Sequence, residues 1–326
     1  MDKIGNALTI SHAATLIAHG VSAVYSGILM SKVSDSQKYS LVGIGKTEAE
    51  TEGLFAEINP MTMIFVLNII SILTMLFHIV RRASANDEGN PGFFSYDSYI
   101  LQFFHISSYG ITHFLALWIF FLVANLRDVG FLLLLFVAVV ALEALQHFVS
   151  NPAKPQVGVS GASRAMIGFF AGATPILAVA IIGIGLTEQD LPDKELIMAS
   201  LVVLEGMKFL SESIAQLEFF AAFAKVYDSR VAHAIYDMLL KTFLVWYILL
   251  KQLEKQGGID GKTDLSTQTT ILGWVGFVVF ILYVVYSLVS RWLAPENWWK
   301  LTVPEMKRAD YPAGTMEEKS RMLQVA

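Results

Sequence analysis

The feature that most constrains this chain is a series of apolar blocks, each about as long as a membrane-spanning helix. Such a helix needs about 20 apolar residues. Lipid offers no water to satisfy exposed backbone groups, so each block is predicted to be an α-helix. The eight predicted spans are residues 6–30, 60–80, 98–124, 129–149, 165–186, 197–222, 232–250 and 269–293. We therefore expect an all-α membrane protein embedded in the lipid bilayer.

The composition agrees with a membrane protein and excludes several functions. Hydrophobic residues make up 55% of the chain and charged residues 16%, whereas soluble domains are about one-quarter charged. The lack of cysteine excludes disulfides and thiolate metal sites. The net charge of −5 gives no reason to expect nucleic acid as a partner. No nucleophile–base pair, phosphate loop or catalytic domain is recognisable, so we do not expect an enzyme.

The connections between the spans predict the orientation. With the N-terminus inside, and with Arg291 at the end of the eighth span counted with the C-terminal tail, the inner segments hold 13 Lys and Arg residues and the outer loops hold 8. Without Arg291 and the tail the counts are 7 and 8. Basic residues favour the cytoplasmic side, so both termini are predicted to be cytoplasmic. The first span is predicted to be a retained helix rather than a signal peptide. The polar loop 31–59 is long enough to hold a small ordered cap.

Two lysines, Lys208 and Lys241, lie inside predicted spans, where a lysine costs roughly 2.5–3.5 kcal/mol. Asp237 precedes Lys241 by four residues, which places both on one helical face. A lysine in a dry pocket can form a Schiff base with an aldehyde, and a buried carboxylate can neutralise the protonated imine. In a seventh span this pattern is typical of a retinal site. The alternative is an ion pair that only stabilises helix packing.

The segment LKTFLVWY around Lys241 resembles the seventh helix of heliorhodopsins, where Ser or Thr and then x-Leu-x-Trp follow the retinal lysine. The matching residues are Lys241, Thr242, Leu244 and Trp246. Heliorhodopsins are membrane photoreceptors with the N-terminus inside. The resemblance implies a seven-transmembrane rhodopsin-like bundle that carries all-trans retinal as a Schiff base on Lys241.

Three other spans resemble the same family, in the same order. His19 in LIAHGVSAVY matches the family's first-helix histidine, and His78 in LTMLFHIV matches a functional histidine that ends the second helix. The fifth span contains IGFFAGATP, which is similar to Gly-x-x-Ala-Gly-x-x-Pro. Its matching residues are Gly168, Ala171, Gly172 and Pro175. The loose similarity covers roughly residues 5–250.

The counterion position departs from the family. Heliorhodopsins usually hold a glutamate counterion on the third helix, and a count without gaps from His78 places His105 there. A neutral imidazole cannot balance a cation. Heliorhodopsins commonly have serine one turn before the lysine, where this chain has Asp237. We infer that the counterion has moved to Asp237. His105 is then either a proton-exchanging neighbour or a hydrogen-bonded core histidine.

Several further residues are predicted to line the retinal pocket, although plain packing is the alternative for the aromatic ones. They are Tyr109 and Thr112, which follow His105 by one and two turns, together with Gly172, Pro175 and Trp246.

The eighth span has no counterpart in the seven-helix family core. We expect it to be peripheral and to aid formation of a homodimer. The chain then divides into a retinal-binding membrane domain (1–255), a loop with the extra transmembrane helix (256–294) and a polar cytoplasmic tail (295–326).

The sixth span is unusually polar. Glu205, Lys208 and Glu212 share one face, and Glu205–Lys208 is predicted to be an ion pair. Glu143 and His147 form another pair on the fourth span. Ionisable chains of this kind often carry protons in membranes, and His19 and His78 are candidates for the same role. A satisfied polar network without proton movement is the alternative.

These observations favour a light sensor that signals to an unknown cytoplasmic partner. The first alternative is a light-gated proton channel or transporter, which the resemblance permits. The second alternative is a retinal-free ion-coupled transporter that uses Glu205, Lys208, Glu212 and Asp237 as its path.

Overall fold

The computed structural model describes residues 3–44, 54–84, 99–142, 144–145, 161–209, 229–259 and 265–292. Most of these residues are helical, as predicted. In chain order the helices are α1 (Lys3–Met30), α2 (Pro60–Ser84), α3 (Tyr99–Val123), α4 (129–141), α5 (Gly161–Thr187), α6 (Lys194–Lys208), α7 (229–255) and α8 (Ser266–Trp292).

Two of these helices contain a π-helical segment. α4 is α-helical over Val129–Phe136 and π-helical over Val137–Ala141. α7 is α-helical over Ser229–Met238 and Val245–Lys255, with a π-helical segment, Leu239–Leu244, between them. Short π-helical segments often occur at functional sites, and the one in α7 contains Lys241.

Within the described residues, four helices are long and apolar enough to cross a membrane. They are Ile10–Met30, Pro60–Phe77, Phe169–Thr187 and Ser266–Val285. Two shorter apolar stretches, Gly110–Val123 and Val129–Ala141, accompany them. A helical protein associated with a membrane is therefore supported, while the full number of spans stays a prediction.

α1 carries its polar side chains inward and its large apolar side chains outward. The buried polar residues are Ser11, Thr15, His19, Ser22 and Ser26, and the exposed apolar residues are Ile10, Ile17, Val21, Val24 and Ile28. The inward face packs against α2 and the first part of α7. An apolar stripe of this length facing outward is unusual for a soluble monomer and fits a helix whose outer face contacts lipid.

The predicted cap in loop 31–59 is present as a β-hairpin. Strand β1 (Tyr39–Val42) pairs antiparallel with β2 (Leu54–Ile58), with Tyr39 opposite Ile58 and a bulge between Leu41 and Val42. The amide of Val42 donates to the carbonyl of Arg127 at 3.1 Å, and the Arg127 guanidinium lies 5.4 Å from the centre of the Tyr39 ring. The hairpin therefore packs on the turn between α3 and α4.

Local capping explains where two helices begin. Pro60 is the first residue of α2, a position where its missing N–H costs nothing. The side chain of the preceding Asn59 accepts from the Met61 amide at 2.9 Å and donates to the Met30 carbonyl at 2.9 Å. This residue thus ties the start of α2 to the end of α1. Asp128 caps α4 by accepting from the Gly130 amide at 2.6 Å.

α3 and α7 form the centre of the described bundle. From Phe114 to Val123, α3 is buried at every position except Trp118, which is partly buried. A helix that is apolar all round is an interior helix, and α3 contacts α2, α4, α5 and α7. Most residues of α7 between Leu239 and Leu250 are also buried. Side chains at the α3–α7 interface are therefore shielded from solvent.

α8 packs against α7 through two glycines. A Cβ atom on Gly273 would lie 2.8 Å from the Tyr247 ring, and one on Gly276 would lie 3.2 Å from Phe243 Cβ. Larger side chains at these positions would force the helices apart. Much of the remaining surface of α8 is apolar and exposed, including Trp274 and Leu282.

Candidate functional site

The amine of Lys241 is buried between α3 and α7. Its Nζ atom lies 2.7 Å from Asp237 Oδ1, and the two side chains are 2% and 3% exposed. The amine also donates a hydrogen bond to Thr112 Oγ1 at 2.8 Å. The sequence prediction that Lys241 and Asp237 lie one turn apart on the same face is confirmed. Lys241, Asp237 and Thr112 are called the amine site below.

The buried position of this ion pair needs a reason other than stability. Removing two charges from water costs several kcal/mol per ion, and apolar residues of similar volume are often at least as stable. The pair sits where α7 changes from α-helical to π-helical geometry, since Asp237 belongs to Ser229–Met238 and Lys241 to Leu239–Leu244. A buried amine, a carboxylate and a local change of helix type together indicate a functional site.

His19 lies next to the amine site through Thr242. Its Nδ1 atom is 2.6 Å from Asn68 Oδ1 and 3.3 Å from Thr242 Oγ1. Asn68 Nδ2 donates to the Ile64 carbonyl at 2.7 Å, which orients the amide so that its oxygen faces the histidine. The proton of a neutral ring is then on Nδ1. Within the described part of the chain, His19 Nε2 is buried without a hydrogen-bond partner.

Trp246, another residue predicted to line the pocket, joins α7 to α1. Its indole N–H donates to Ser22 Oγ at 2.5 Å, and its ring centre lies 5.2 Å from that of Tyr25. The hydrogen bond satisfies the only polar atom of the buried indole. This contact fixes the rotation of α7 relative to α1.

A second buried polar group, called the Glu205 cluster, joins α3, α6 and α7. It consists of His113, Glu205, Lys208 and Tyr236. Lys208 Nζ lies 3.0 Å from His113 Nδ1, and His113 Nε2 lies 3.0 Å from Glu205 Oε1. The Tyr236 hydroxyl donates to the same carboxylate oxygen at 2.6 Å. The histidine therefore bridges the predicted partners Glu205 and Lys208.

The donors in the Glu205 cluster define where its protons are. A lysine ammonium can only donate, so it donates to His113 Nδ1, and the neutral ring carries its proton on Nε2. That proton is donated to Glu205, which also accepts from Tyr236. The result is a hydrogen-bonded chain from Lys208 through His113 to Glu205. Such a chain can shift protons when one member changes charge.

The amine site and the Glu205 cluster are neighbours along two helices. Thr112 and His113 are consecutive in α3, and Tyr236 and Asp237 are consecutive in α7. A movement of either helix at the amine site therefore also moves a member of the Glu205 cluster.

The remaining predicted site residues fall into two groups. Gly172 is partly buried and Pro175 is buried in α5, but no described contact joins them to Lys241. Residues outside the description, either wholly or in their side chains, are His78, His105, Tyr109, Glu143, His147, Gly168 and Glu212. Their predicted roles stay predictions. Since a helix rises 1.5 Å per residue, the backbone of His105 lies about 10 Å along α3 from that of Thr112.

Sequence reasoning missed His113, Tyr236 and Asn68. His113 lies inside the predicted third span and Tyr236 directly precedes Asp237, so both carried a signal: each is a polar group that must find a partner in a membrane. Their partners are on other helices, and a single helix face does not reveal contacts between helices. Asn68 in the second span carried the same signal.

A cleft of about 420 Å³ lies between α6, α7 and α8. Its lining includes Ser200 of α6, Phe243 and Lys251 of α7, and Thr269 and Phe280 of α8. These residues define what is called the α6–α8 cleft below. Neither Lys241 nor Asp237 lines it, so it is separate from the amine site.

Comparison of the chain with protein-family models, with curated proteins and with solved structures finds no match. The resemblance to heliorhodopsins is therefore carried by the sequence motifs alone.

Proposed function

We propose that this protein is a retinal-binding light sensor of the heliorhodopsin type, with Lys241 as the attachment residue. The observation that carries the proposal is the amine site: a lysine amine buried inside an apolar helix pair, 2.7 Å from a carboxylate. A retinal protein needs an amine that can condense with an aldehyde and an acid that balances the resulting cation. Lys241 and Asp237 meet both requirements.

Each residue of the amine site has a defined role in this proposal. All-trans retinal, when bound as a protonated Schiff base, would supply visible-light absorption and isomerisation. Asp237 would balance the positive charge, and Thr112 would accept the hydrogen bond of the protonated nitrogen. The burial of all three side chains would exclude water, which hydrolyses imines. This fit rests on the residues around the nitrogen, because the α6–α8 cleft does not reach Lys241.

The proposal of a heliorhodopsin-type light sensor includes an arrangement of the helices in the membrane. We place seven of the helices, α1–α7, in a rhodopsin-like bundle with both termini cytoplasmic, and α8 beside α7 as an additional span. A homodimer and a cytoplasmic signalling partner are proposed with it. The inward polar face of α1 and the close packing of α8 on α7 support this arrangement.

The spectral test compares the wild type with two variants of Lys241. Wild-type protein mixed with all-trans retinal should gain a visible absorption band. Lys241→Arg keeps a positive charge beside Asp237 but has no amine for imine formation, so it should stay colourless while remaining folded. Lys241→Ala should also stay colourless. A visible band in Lys241→Arg would overturn the attachment site.

The counterion is tested separately with Asp237→Asn and Asp237→Glu. Asp237→Asn removes the charge that balances the imine, so the visible absorption band should shift strongly or be lost at a lower pH. Asp237→Glu keeps the charge, so its band should remain closer to that of the wild type. If Asp237→Asn left both the band and its pH dependence unchanged, the counterion assignment would be wrong.

A light-gated proton channel or transporter is the second candidate, and the Glu205 cluster favours it. Its hydrogen-bonded chain connects α3, α6 and α7 and adjoins the amine site in sequence. Light-evoked current in a voltage-clamped cell decides between conduction and sensing. A current that disappears in Glu205→Gln would establish conduction through the cluster, and no current at any pH or voltage would leave sensing.

A retinal-free ion-coupled transporter is the third candidate, since buried charged groups of this kind also serve ion pathways. Absence of a visible band after addition of all-trans retinal, together with ion-driven uptake that requires Glu205 and Asp237, would favour it.

A further inference from the structure

We propose that the α6–α8 cleft binds a single-chain amphiphile of the bilayer whose head is uncharged and bears hydroxyl groups. This inference does not depend on retinal binding. The cleft volume of about 420 Å³ is in the range of small-molecule sites, about 300–1,000 Å³. Three properties of the cleft identify the ligand: its polarity along the helices, its charge and its opening.

The cleft is polar at one end and apolar at the other. The start of α6, the end of α7 and the start of α8 meet at the polar end, where Asp193, Lys251 and Thr269 contribute. Leu204 and Phe280 lie at the other end. From Asp193 to Leu204 and from Thr269 to Phe280 the helices rise about 16 Å. This length and polarity match a molecule with one head and one hydrocarbon chain, aligned with the helices.

The charge at the polar end selects an uncharged head. Lys251 Nζ lies 3.1 Å from Asp193 Oδ2 and 3.9 Å from Glu254 Oε2. Asp193 and Lys251, the two charged residues of the cleft lining, pair with each other, so the lining has no net charge and leaves neither charge open for an ionised head. Hydroxyl groups are available for hydrogen bonding instead. The Thr269 hydroxyl donates to the Leu265 carbonyl at 2.8 Å, which leaves its oxygen able to accept from a ligand hydroxyl.

The cleft opens sideways toward the lipid. Three of its apolar lining residues, Leu196, Trp274 and Phe277, are 49%, 67% and 45% exposed. A molecule from the bilayer can therefore enter between α6 and α8 without leaving the membrane. Apolar side chains exposed at the opening favour a hydrocarbon chain as the occupant.

Fluorescence of Trp274 provides the test, with the protein in phosphatidylcholine vesicles. A monoacylglycerol with bromine in the middle of its chain is titrated into the vesicles, because bromine quenches the fluorescence of a tryptophan that it contacts. The loss of fluorescence in Trp274→Phe is subtracted from the loss in the wild type, which leaves the quenching of Trp274. We expect saturable quenching that excess unbrominated monoacylglycerol reverses. Ser200→Phe, which fills the cleft, should raise the half-quenching concentration at least tenfold. Val202→Phe is the matched control, because Val202 is exposed on the same helix and does not line the cleft.

Three outcomes would overturn the proposal. Quenching that grows without saturation and is equal in Ser200→Phe and Val202→Phe would mean contact with bulk lipid only. A fatty acid brominated at the same position has an ionised head at pH 9. If it bound as tightly as the brominated monoacylglycerol, or more tightly, the proposed preference for an uncharged head would be wrong. Absence of quenching, together with disulfide-linked dimers of Trp274→Cys, would mean that a second copy of the chain covers the cleft; the chain contains no other cysteine.

Discussion

At the residue scale, the amine site and the Glu205 cluster differ in how their charges are compensated. Lys241 has its acid on the same helix, one turn away, whereas Lys208 reaches Glu205 through a histidine from another helix. The first arrangement places the amine beside a carboxylate of its own helix, which is what the proposed attachment site requires. In the second arrangement a hydrogen-bonded chain joins side chains of three helices, so a change of charge at one of them can affect the others.

Thr112→Val tests the hydrogen bond at the amine site. Valine has the shape of threonine but cannot accept from the protonated nitrogen. In retinal-loaded protein, the pH at which the visible band is lost should fall by about one to two units, since a hydrogen bond to a charged group contributes about 1.5–3 kcal/mol. Thr112→Ser should stay close to wild type. Equal alkaline midpoints in all three proteins would exclude Thr112 from the site.

A double-mutant cycle tests the Glu205 cluster. Glu205→Gln or Lys208→Met alone removes one of the two opposite charges of the cluster, and each should lower the unfolding free energy by about 3–5 kcal/mol. The double variant removes both charges and should cost clearly less than the sum of the single costs. Unfolding in mixed micelles with increasing denaturing detergent gives the three values. Strictly additive costs would show that the two residues do not interact.

At the element scale, the sequence predicted the helices well and the contacts between helices poorly. The apolar blocks marked every described helix, and the four-residue spacing of Asp237 and Lys241 was enough to place both on one face. The π-helical segment around Lys241 leaves no mark in the hydrophobic pattern, because it changes the local turn and not the residue types. The role of His113 could not be predicted, because its partners lie on α6 and α7 and depend on how those helices are rotated relative to α3. The gap-free count that selected His105 stays a prediction, because the side chain of His105 lies outside the described residues, whereas Thr112 on the same helix contacts the amine.

The start of α6 is held to α7 by a pH-dependent contact. Asp193 accepts a hydrogen bond from Tyr247 at 2.9 Å and lies 3.1 Å from the Lys251 amine. The Tyr247 hydrogen bond, followed by that of Lys251, lowers the pKa of the Asp193 carboxyl below its ordinary value of 3.8. A lowered folded-state pKa means that the contact stabilises the protein above about pH 4 and is lost as the pH falls through the folded-state pKa.

Asp193→Asn should therefore lower the melting temperature at pH 7, and the difference from wild type should shrink below pH 4. Asp190→Asn is the matched control, because Asp190 is fully exposed and lies 3.7 Å from the Lys255 amine; its melting temperature should change little at either pH. Scanning calorimetry in detergent at several pH values gives both curves. A difference for Asp193→Asn that is constant with pH would contradict the ionic contact.

At the scale of the whole molecule, the described helices bury a set of polar groups within an apolar core and expose large apolar side chains on their outer faces. α1 shows this most clearly, and the exposed faces of α5 and α8 continue it. In a membrane the outer surface requires no polar groups, so the buried positions are free to hold ionisable residues that partner one another. The same arrangement places Lys241 in the dry interior, where a Schiff base would be protected, and leaves α8 as a wall of the α6–α8 cleft.

The central claim is that Lys241 carries retinal, and chemical trapping tests it most directly. Protein loaded with all-trans retinal is reduced with borohydride, which converts an imine into a stable amine, and is then digested and mapped by mass spectrometry. We expect one retinyl adduct, on the peptide that contains Lys241, and none in Lys241→Arg. An adduct on another lysine, or no adduct in the wild type, would contradict the account.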